Sequence, residues 1–274
     1  MSSIKHVIID GKLIAEEIIE KLKKHVTPKE FIGVVSVGKN NASEKFIEQK
    51  RKTAKLLGID FRIYTFSESI STDQLRKNIE DIANKKDCGG IIVQLPLPVI
   101  LNCDQILDSI PTEKDLDVLS RSAYELFLNN QKVCPPSVST FCEILSRYQP
   151  MESVSQETFA VIGNGFLVGK PISDYLKLKG WEVTIFDKGD DLSKIKDSDV
   201  VILGTGVPNV VNETMIKKGA LVIDFGCSFI DGKLYGDLLQ PTENCLYTPT
   251  PGGTGPILVV KLFENFYKLN KKSY

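Results

Sequence analysis

The sequence predicts an α/β fold of two lobes, each built on a largely parallel sheet. Short β-branched runs alternate with amphipathic helical stretches from one end of the chain to the other, the pattern of strands joined by crossover helices. With 274 residues, 42% of them hydrophobic, the chain is long enough to bury two cores. The expected division is residues 1–139 as one domain, rejoined by the C-terminal helix of residues 253–274, and residues 140–252 as the other, with a cleft between them.

Val7 to Ile9 reads as a strand that passes through Asp10-Gly11 into a helix near residues 12 to 24. Phe31 to Val37 is the next strand. The helix after it has Ser43 as expected N-cap and Gly58 as its stop, with Phe46, Ile47, Ala54 and Leu57 at helical spacing along one apolar stripe. Lys50 lies inside that stripe, whereas Lys45, Arg51, Lys52 and Lys55 fall on the polar and flanking faces. A lysine on an apolar face snorkels to water, finds a polar partner, or loses its proton easily, and the last case makes a general acid or base. Phe61 to Phe66 is a third strand, and Ser71-Thr72 caps a helix carrying Leu75, Ile79 and Ile82. Ile91-Ile-Val93 is a buried strand ended by Gln94 and the Pro96-Leu-Pro98 stop. Gln94 is either an ordinary polar strand end or an amide at the carboxyl end of a strand, where parallel sheets hold ligands.

The stretch holding Thr112 to Asp117 and Cys134-Pro-Pro-Ser137 reads as loop-rich, and a helix near 138 to 148 follows. Phe159 to Ile162 then runs directly into Gly163-Asn-Gly-Phe-Leu-Val-Gly169, a helix near 169 to 179, and the strand Glu182 to Asp187. Strand, glycine turn, helix and a strand ending in an acid is the dinucleotide-binding arrangement, here Gly-x-Gly-x-x-x-Gly, one residue longer than the commonest form. A purely structural turn is the other reading. The acid follows Gly163 at close to the roughly 20-residue separation of that arrangement. Two further strands, Asp199 to Leu203 and Ala220 to Asp224, also end at glycines, and Phe229 to Leu234 reads as a hairpin with an Asp-Gly turn. Tyr247 to Pro256, punctuated by proline and glycine, opens a last helix with Leu258, Leu262, Phe266 and Leu269 on its apolar face; consecutive amides at its start suit an anionic or ring-carbonyl ligand.

Composition excludes several functions. With 34 basic and 35 acidic side chains the net charge is -1, so no overall field recruits nucleic acid or acidic membrane. No apolar run has transmembrane length, and no signal-peptide cleavage pattern follows Met1; the expectation is a cytoplasmic protein. The 6 cysteines form no Cys-x-x-Cys pair and suit a reducing compartment. The 2 histidines, His6 and His25, are too few for a His-rich zinc site, and a serine triad would have to use one of them, so no metal and no hydrolytic triad is expected.

Taken together, Asp10-Gly-Lys12, Val37-Gly38 with Ala42-Ser43, Lys50-Arg-Lys52, Val93-Gln-Leu-Pro-Leu-Pro98, Lys114-Asp-Leu-Asp117, Val168-Gly-Lys-Pro171 and Pro251-Gly-Gly-Thr-Gly-Pro256 resemble the FolD family. These are bifunctional methylenetetrahydrofolate dehydrogenases and methenyltetrahydrofolate cyclohydrolases, and the resemblance covers nearly the whole chain. It implies that Lys50, Gln94 and Asp117 are catalytic, Asp117 gripping the pterin ring. Phe46, Pro96, Pro251, Gly252 and Gly253 join them in binding the substrate. It also implies a Rossmann-like lobe that binds the dinucleotide through Gly163, Asn164, Gly165, Val168, Gly169, Asp187, Lys188, Thr205, Gly206 and Cys227. Tetrahydrofolate derivatives are the implied partners, and a homodimer the implied assembly.

The chain departs from the family's pattern at several of these places. Phe46 replaces the usual tyrosine, keeping a stacking face and losing the hydroxyl. Val118-Leu119-Ser120 replaces a segment that usually begins with glycine, and Val133-Cys-Pro-Pro136 stands for Pro-Cys-Thr-Pro. An enzyme that has kept only the dehydrogenase, a non-catalytic folate or nucleotide binder, and a dehydrogenase for another small substrate are the alternatives. Asn164-Gly165 replaces Arg-Ser, and Phe186-Asp-Lys188 replaces Cys-His-Ser. Asp187 repels a 2'-phosphate and accepts from a free ribose hydroxyl, so the residues favour NAD where family habit favours NADP; Lys188 or Lys170 offers a phosphate a counter-charge.

Overall fold

The computed structural model describes residues 8–38, 41–149, 154–240 and 245–271. His6 and Val7 lie outside them, as does Lys272, and of Asn41, Ala42 and Ser155 only the backbone is described. Two compact units share the chain: the described residues through Ala15 with Ser137–Leu258, and Glu16–Pro136 with Val259 onward. The expected division kept the N-terminal residues with the first domain. They group with the second half because Ile8 forms a parallel bridge to Tyr247, the Ile9 N–H donates to the Tyr247 carbonyl, and Gly11 packs directly on the Gly253 backbone.

Helix α1 (Gly11–Leu22) starts where Asp10 Oδ1 accepts from the Lys12 and Leu13 N–H groups at 2.9 and 3.2 Å. Strand β1 (Phe31–Val37) leads to α2 (Asn41–Leu57), β2 (Phe61–Phe66), α3 (Thr72–Ala83) and β3 (Cys88–Val93). These strands form a parallel sheet in the order β2-β1-β3. Helix α2 begins at Asn41, so Ser43 is not its N-cap: it lies inside the first turn and is buried. Gly58 ends the helix at φ +69, as expected. Ser71 caps α3 in a full capping box with Gln74.

The segment after β3, where no element is expected, contains a helix, α4 (Cys103–Leu107), capped by Asn102, and the stretch read as loop-rich contains α5 (Arg121–Asn130), capped by Ser120. Helix α4 is too short for periodicity to reveal, and both depend on tertiary burial of Ile106, Leu107, Ala123 and Phe127.

Helix α6 (Pro136–Tyr148), β4 (Phe159–Ile162), α7 (Gly169–Leu178), β5 (Val183–Phe186), β6 (Val200–Leu203), β7 (Leu221–Asp224), the hairpin strands β8 (Ser228–Ile230) and β9 (Lys233–Tyr235), and β10 (Leu246–Tyr247) complete the other unit up to α8 (Thr254–Leu269). Its sheet is parallel, in the order β10-β7-β6-β4-β5. The chain leaves β4 toward β5 on one side and crosses to β6 on the other, so the carboxyl end of β4 is a topological switch point. The β8–β9 hairpin turns at Asp231 and Gly232, with φ +47 and +80, the two left-handed residues its Asp-Gly turn demands. Helix α8 is buried more widely than its expected stripe: Leu262 and Phe266 are joined by Ile257, Val260, Phe263 and Tyr267, while Leu258 and Leu269 are half-buried. No disulfide is present among the described residues; Cys88 and Cys245 are buried and Cys227 is exposed. Among the described residues no helix is long and apolar enough to cross a membrane.

Candidate active site

In the three-stranded unit the α2 stripe buries Ile47, Ala54 and Leu57, and Phe46 and Lys50 are half-buried beside them. Lys50 finds the polar partner its position requires. Its Nζ donates to Gln94 Oε1 at 3.0 Å. Gln94 is oriented from two sides: its Nε2 donates to the Leu95 carbonyl at 2.7 Å, and its backbone N–H donates to Val35 at 2.8 Å, one step beyond the β1–β3 ladder. The amide oxygen therefore faces the lysine because its nitrogen is already committed elsewhere.

Asp117 is delivered by a loop that docks on β3. Asp115 forms a parallel bridge to Ile91, and Leu116 packs so closely on Gly90 that a Cβ there would lie 2.7 Å from Leu116 Cδ1. Asp115 Oδ2 accepts from the Leu119 and Ser120 N–H groups at 2.9 and 2.7 Å, closing the loop around Val118, which adopts φ +57. That is the left-handed region where the family's glycine costs nothing and a β-branched residue is strained. Asn265 of α8, fully buried, donates through Nδ2 to the carbonyls of Leu116 and Cys134 at 2.9 and 2.8 Å.

Burial pushes the Lys50 amine below its ordinary value, and the charge of Asp117 opposes that shift. Burial pushes Asp117 up, and Lys50 opposes it in turn. Asp115, buried and only partly compensated by its amides, is pushed up to about 6. The chemical result is an amine near a carboxylate and a fixed amide, able to exchange a proton closer to neutrality than a solvated lysine.

The five-stranded unit holds a cavity of about 710 Å³ at the carboxyl ends of β4, β5 and β6. Gly163, Asn164 and Gly165 form one wall, Asp187, Lys188 and Asp190 another, Thr205 and Val207 a third. The glycines differ in function. Gly163 has φ +87, and a Cβ on it would meet the Gly204 carbonyl at 2.8 Å; a Cβ on Gly169 would collide with the Gly163 carbonyl. Gly165 has nothing within 4 Å, so its backbone faces open space where a ligand's phosphates can approach, and the residues present fit a dinucleotide. Asp187 Oδ1 accepts from the Lys188 N–H at 2.8 Å, and the Asp187 N–H donates to Asp190 Oδ2 at 2.7 Å, which draws two carboxylates to the same wall.

Of the sequence-predicted cofactor residues, Gly163, Asn164, Gly165, Asp187, Lys188 and Thr205 line this cavity, and Val168, Gly169, Gly206 and Cys227 do not. Val168 packs on Gly204, and Gly169 lets α7 approach the turn, so both act through packing. Gly253 is likewise tightly packed, its N–H donating to the Pro249 carbonyl at 2.7 Å, while Pro251 is exposed. Sequence reasoning missed Asp115, Asp190 and Asn265. Asn265 carried the same signal as Lys50, a polar residue inside an apolar helix stripe.

Comparison with known proteins places the whole chain in one family. Residues 9–117 match the family described as tetrahydrofolate dehydrogenase/cyclohydrolase, catalytic domain, and residues 135–274 match its NAD(P)-binding domain. The bifunctional protein FolD of Mycoplasmopsis synoviae is 32% identical over 281 residues, covering 96% of this chain and 99% of that protein. A Trypanosoma brucei methylenetetrahydrofolate dehydrogenase-cyclohydrolase, solved with NADP and an inhibitor, superposes with a TM-score of 0.90 at 26% identity, covering 97% of each chain. The Campylobacter jejuni bifunctional FolD enzyme gives 0.88 at 29% identity, covering 97% of this chain and 98% of that one. The chain therefore belongs to the tetrahydrofolate dehydrogenase/cyclohydrolase family.

Proposed function

We propose that this enzyme oxidises 5,10-methylenetetrahydrofolate with a nicotinamide dinucleotide and hydrolyses the 5,10-methenyl product to 10-formyltetrahydrofolate. The observation that carries the reading is the half-buried Lys50 amine held 3.0 Å from Gln94 Oε1, its proton affinity lowered by burial and sustained by Asp117. Asp117 accepts from the N–H groups of the pterin, and Phe46 and Pro96 offer flat apolar faces to its ring. By family resemblance Pro251, Gly252 and Gly253 also contact the substrate.

The dinucleotide, when bound by the glycine turn and the Asp187 and Thr205 walls, supplies the hydride acceptor. That step transfers two electrons with a hydride and releases no proton, so the protein's contribution is mainly to hold and orient. Hydrolysis needs proton transfers. Water adds to the methenyl carbon as the Lys50 amine takes its proton; the ammonium returns a proton to N5 as the C–N5 bond breaks. The remaining hydroxyl loses its proton as the formyl carbonyl forms, so one water is consumed and one proton released.

Lys50→Met tests the reading. Methenyl hydrolysis measured without dinucleotide falls by about 10²–10⁴-fold, the range for a general acid-base group, and hydride transfer falls far less. Unchanged rates of both reactions reject the assignment. Because burial lowers the Lys50 pKa, wild-type hydrolysis rises with pH through a value below that of a solvated lysine. A wild-type enzyme that transfers hydride but hydrolyses no faster than buffer is the single-activity alternative suggested by Phe46.

For the cofactor we propose NAD over NADP. Two carboxylates, Asp187 and Asp190, stand in one cavity wall, where a 2'-phosphate meets like charge and a ribose hydroxyl finds acceptors. Higher kcat/KM with NADP overturns this, and Asp187→Ser shifts the ratio toward NADP. No metal takes part in either proposed step, so chelation leaves both rates unchanged. By family resemblance the enzyme acts in the cytoplasm as a homodimer joined through its nucleotide-binding domain, which light scattering at micromolar concentration tests for the assembly.

A further inference from the structure

We propose that Asp237, braced by Asp224, is a positioning residue for the dinucleotide, fixing the Thr205–Val207 segment as one wall of the 710 Å³ cavity. The inference rests on the reading that this cavity takes the dinucleotide. Asp237 follows β9 and is fully buried, at 0% exposure. One of its oxygens, Oδ2, accepts from the Thr205 N–H at 2.6 Å, the Thr205 hydroxyl at 2.8 Å and the Gly206 N–H at 3.2 Å. Thr205 Oγ1, its proton given to Asp237, accepts from the Val207 N–H at 3.0 Å. One carboxylate thus sets the direction of three successive residues, and the first and third of them line the cavity.

Asp237 is itself held. Asp224, at the end of β7 and also fully buried, accepts through Oδ1 from the Gly226 N–H at 2.7 Å and the Asp237 N–H at 3.3 Å, and through Oδ2 from the Leu238 N–H at 3.0 Å. The two carboxylates interlock with two glycines: a Cβ on Gly226 would collide with Asp237 Oδ1, and one on Gly236 with Asp224 Oδ2. Both acids are pushed up by burial, and the charge of Asp237 adds to the shift of Asp224. Two neighbouring buried carboxylates are an expensive way to close a turn, since a neutral side chain closes turns as well. Charge-assisted bonds are shorter and stronger, and they are concentrated on the segment that faces the cavity.

Asp237→Asn and Thr205→Val in the full chain test the proposal, with NAD and NADP affinities read by titration of protein fluorescence. Asp237→Asn is expected to raise the dinucleotide Kd about tenfold, the weight of one charge-assisted bond, and the dinucleotide KM in step with it. Affinity for folic acid, measured without dinucleotide, stays within about twofold on the same scale. Thr205→Val removes the hydroxyl's bonds to Asp237 and from the Val207 N–H but keeps the Thr205 N–H bond to Asp237, and raises Kd about threefold, a fraction of the Asp237→Asn effect. Folded Asp237→Asn protein with wild-type dinucleotide affinity, or with folate and dinucleotide affinities reduced alike, overturns the proposal. Should Asp237→Asn not fold, Thr205→Val decides alone, and unchanged affinity there overturns it. A wild-type protein that binds neither dinucleotide rejects the cavity reading itself, and Asp237 with it.

Discussion

The lysine centre and the glycine-walled cavity solve opposite problems. In the proposed mechanism the chemistry around Lys50 belongs to side chains, and the backbone serves only to aim them: α2 presents the amine, the end of β3 presents Gln94, and the docked loop presents Asp117. Around Gly163 the backbone lines the cavity, and in the proposed reading it is the binding surface whose preference side chains such as Asp187 adjust. The lysine centre should therefore fail when functional atoms are removed, and the cavity when atoms are added to its turn.

The largest expected effect breaks the cavity. Gly169→Ala places a methyl against the Gly163 carbonyl and separates α7 from the turn, so dinucleotide binding should fall more than about 100-fold, whereas Gly165→Ala, with open space around it, should keep binding within a few-fold. Equal losses in the two variants, read by titration, would contradict the division of labour among the glycines. At the lysine centre, Gln94→Leu keeps the bulk and deletes the acceptor. Hydrolysis should drop by roughly 10–100-fold, less than for Lys50 itself, because Asp117 still attends the amine. A drop as deep as that of Lys50→Met would instead make Gln94 an equal participant.

Asn265→Ala acts on stability first. It strips the carbonyls of Leu116 and Cys134 of their donor inside the protein, and urea denaturation should show a loss of about 2–4 kcal/mol. Substrate affinity should weaken as well, since the Leu116 carbonyl anchors the loop that carries Asp117; an unchanged KM would uncouple α8 from the site. The smallest effect concerns pH. Asp115 is pushed up to about 6 and Asp224 to about 7, so each stabilises fully only below its unfolded value of about 4 and loses that contribution as pH rises through its folded value. Stability should decline from about pH 4, and Asp224 in the five-stranded unit should still contribute to the decline between about pH 6 and 7, after Asp115 has largely titrated. Asp224→Asn should flatten that upper part of the melting-temperature profile, and a profile unchanged by the substitution would contradict the assignment.

Much of this was legible in the chain. Strands β1 to β7 announce themselves as short apolar runs, and the Asp231-Gly232 turn specifies its hairpin through local backbone preference. Lys50 stood out because a charge on an apolar stripe violates periodicity. Helices α4 and α5 were missed because their stability comes from buried contacts at Ile106 and Phe127, not from local pattern. Ser43 was misplaced as a cap because capping propensity alone cannot tell the first residue of a helix from the third.

Local rules, which operate over a few residues, were enough for the sequence to determine the α/β class, the glycine turn and the anomalous lysine. Tertiary structure alone decided that Gln94 turns its oxygen to Lys50, that Asn265 reaches back to Leu116, and that Asp237 grips Thr205. Each of these bonds joins residues far apart in the chain, and a buried polar atom takes whichever partner packing brings within reach.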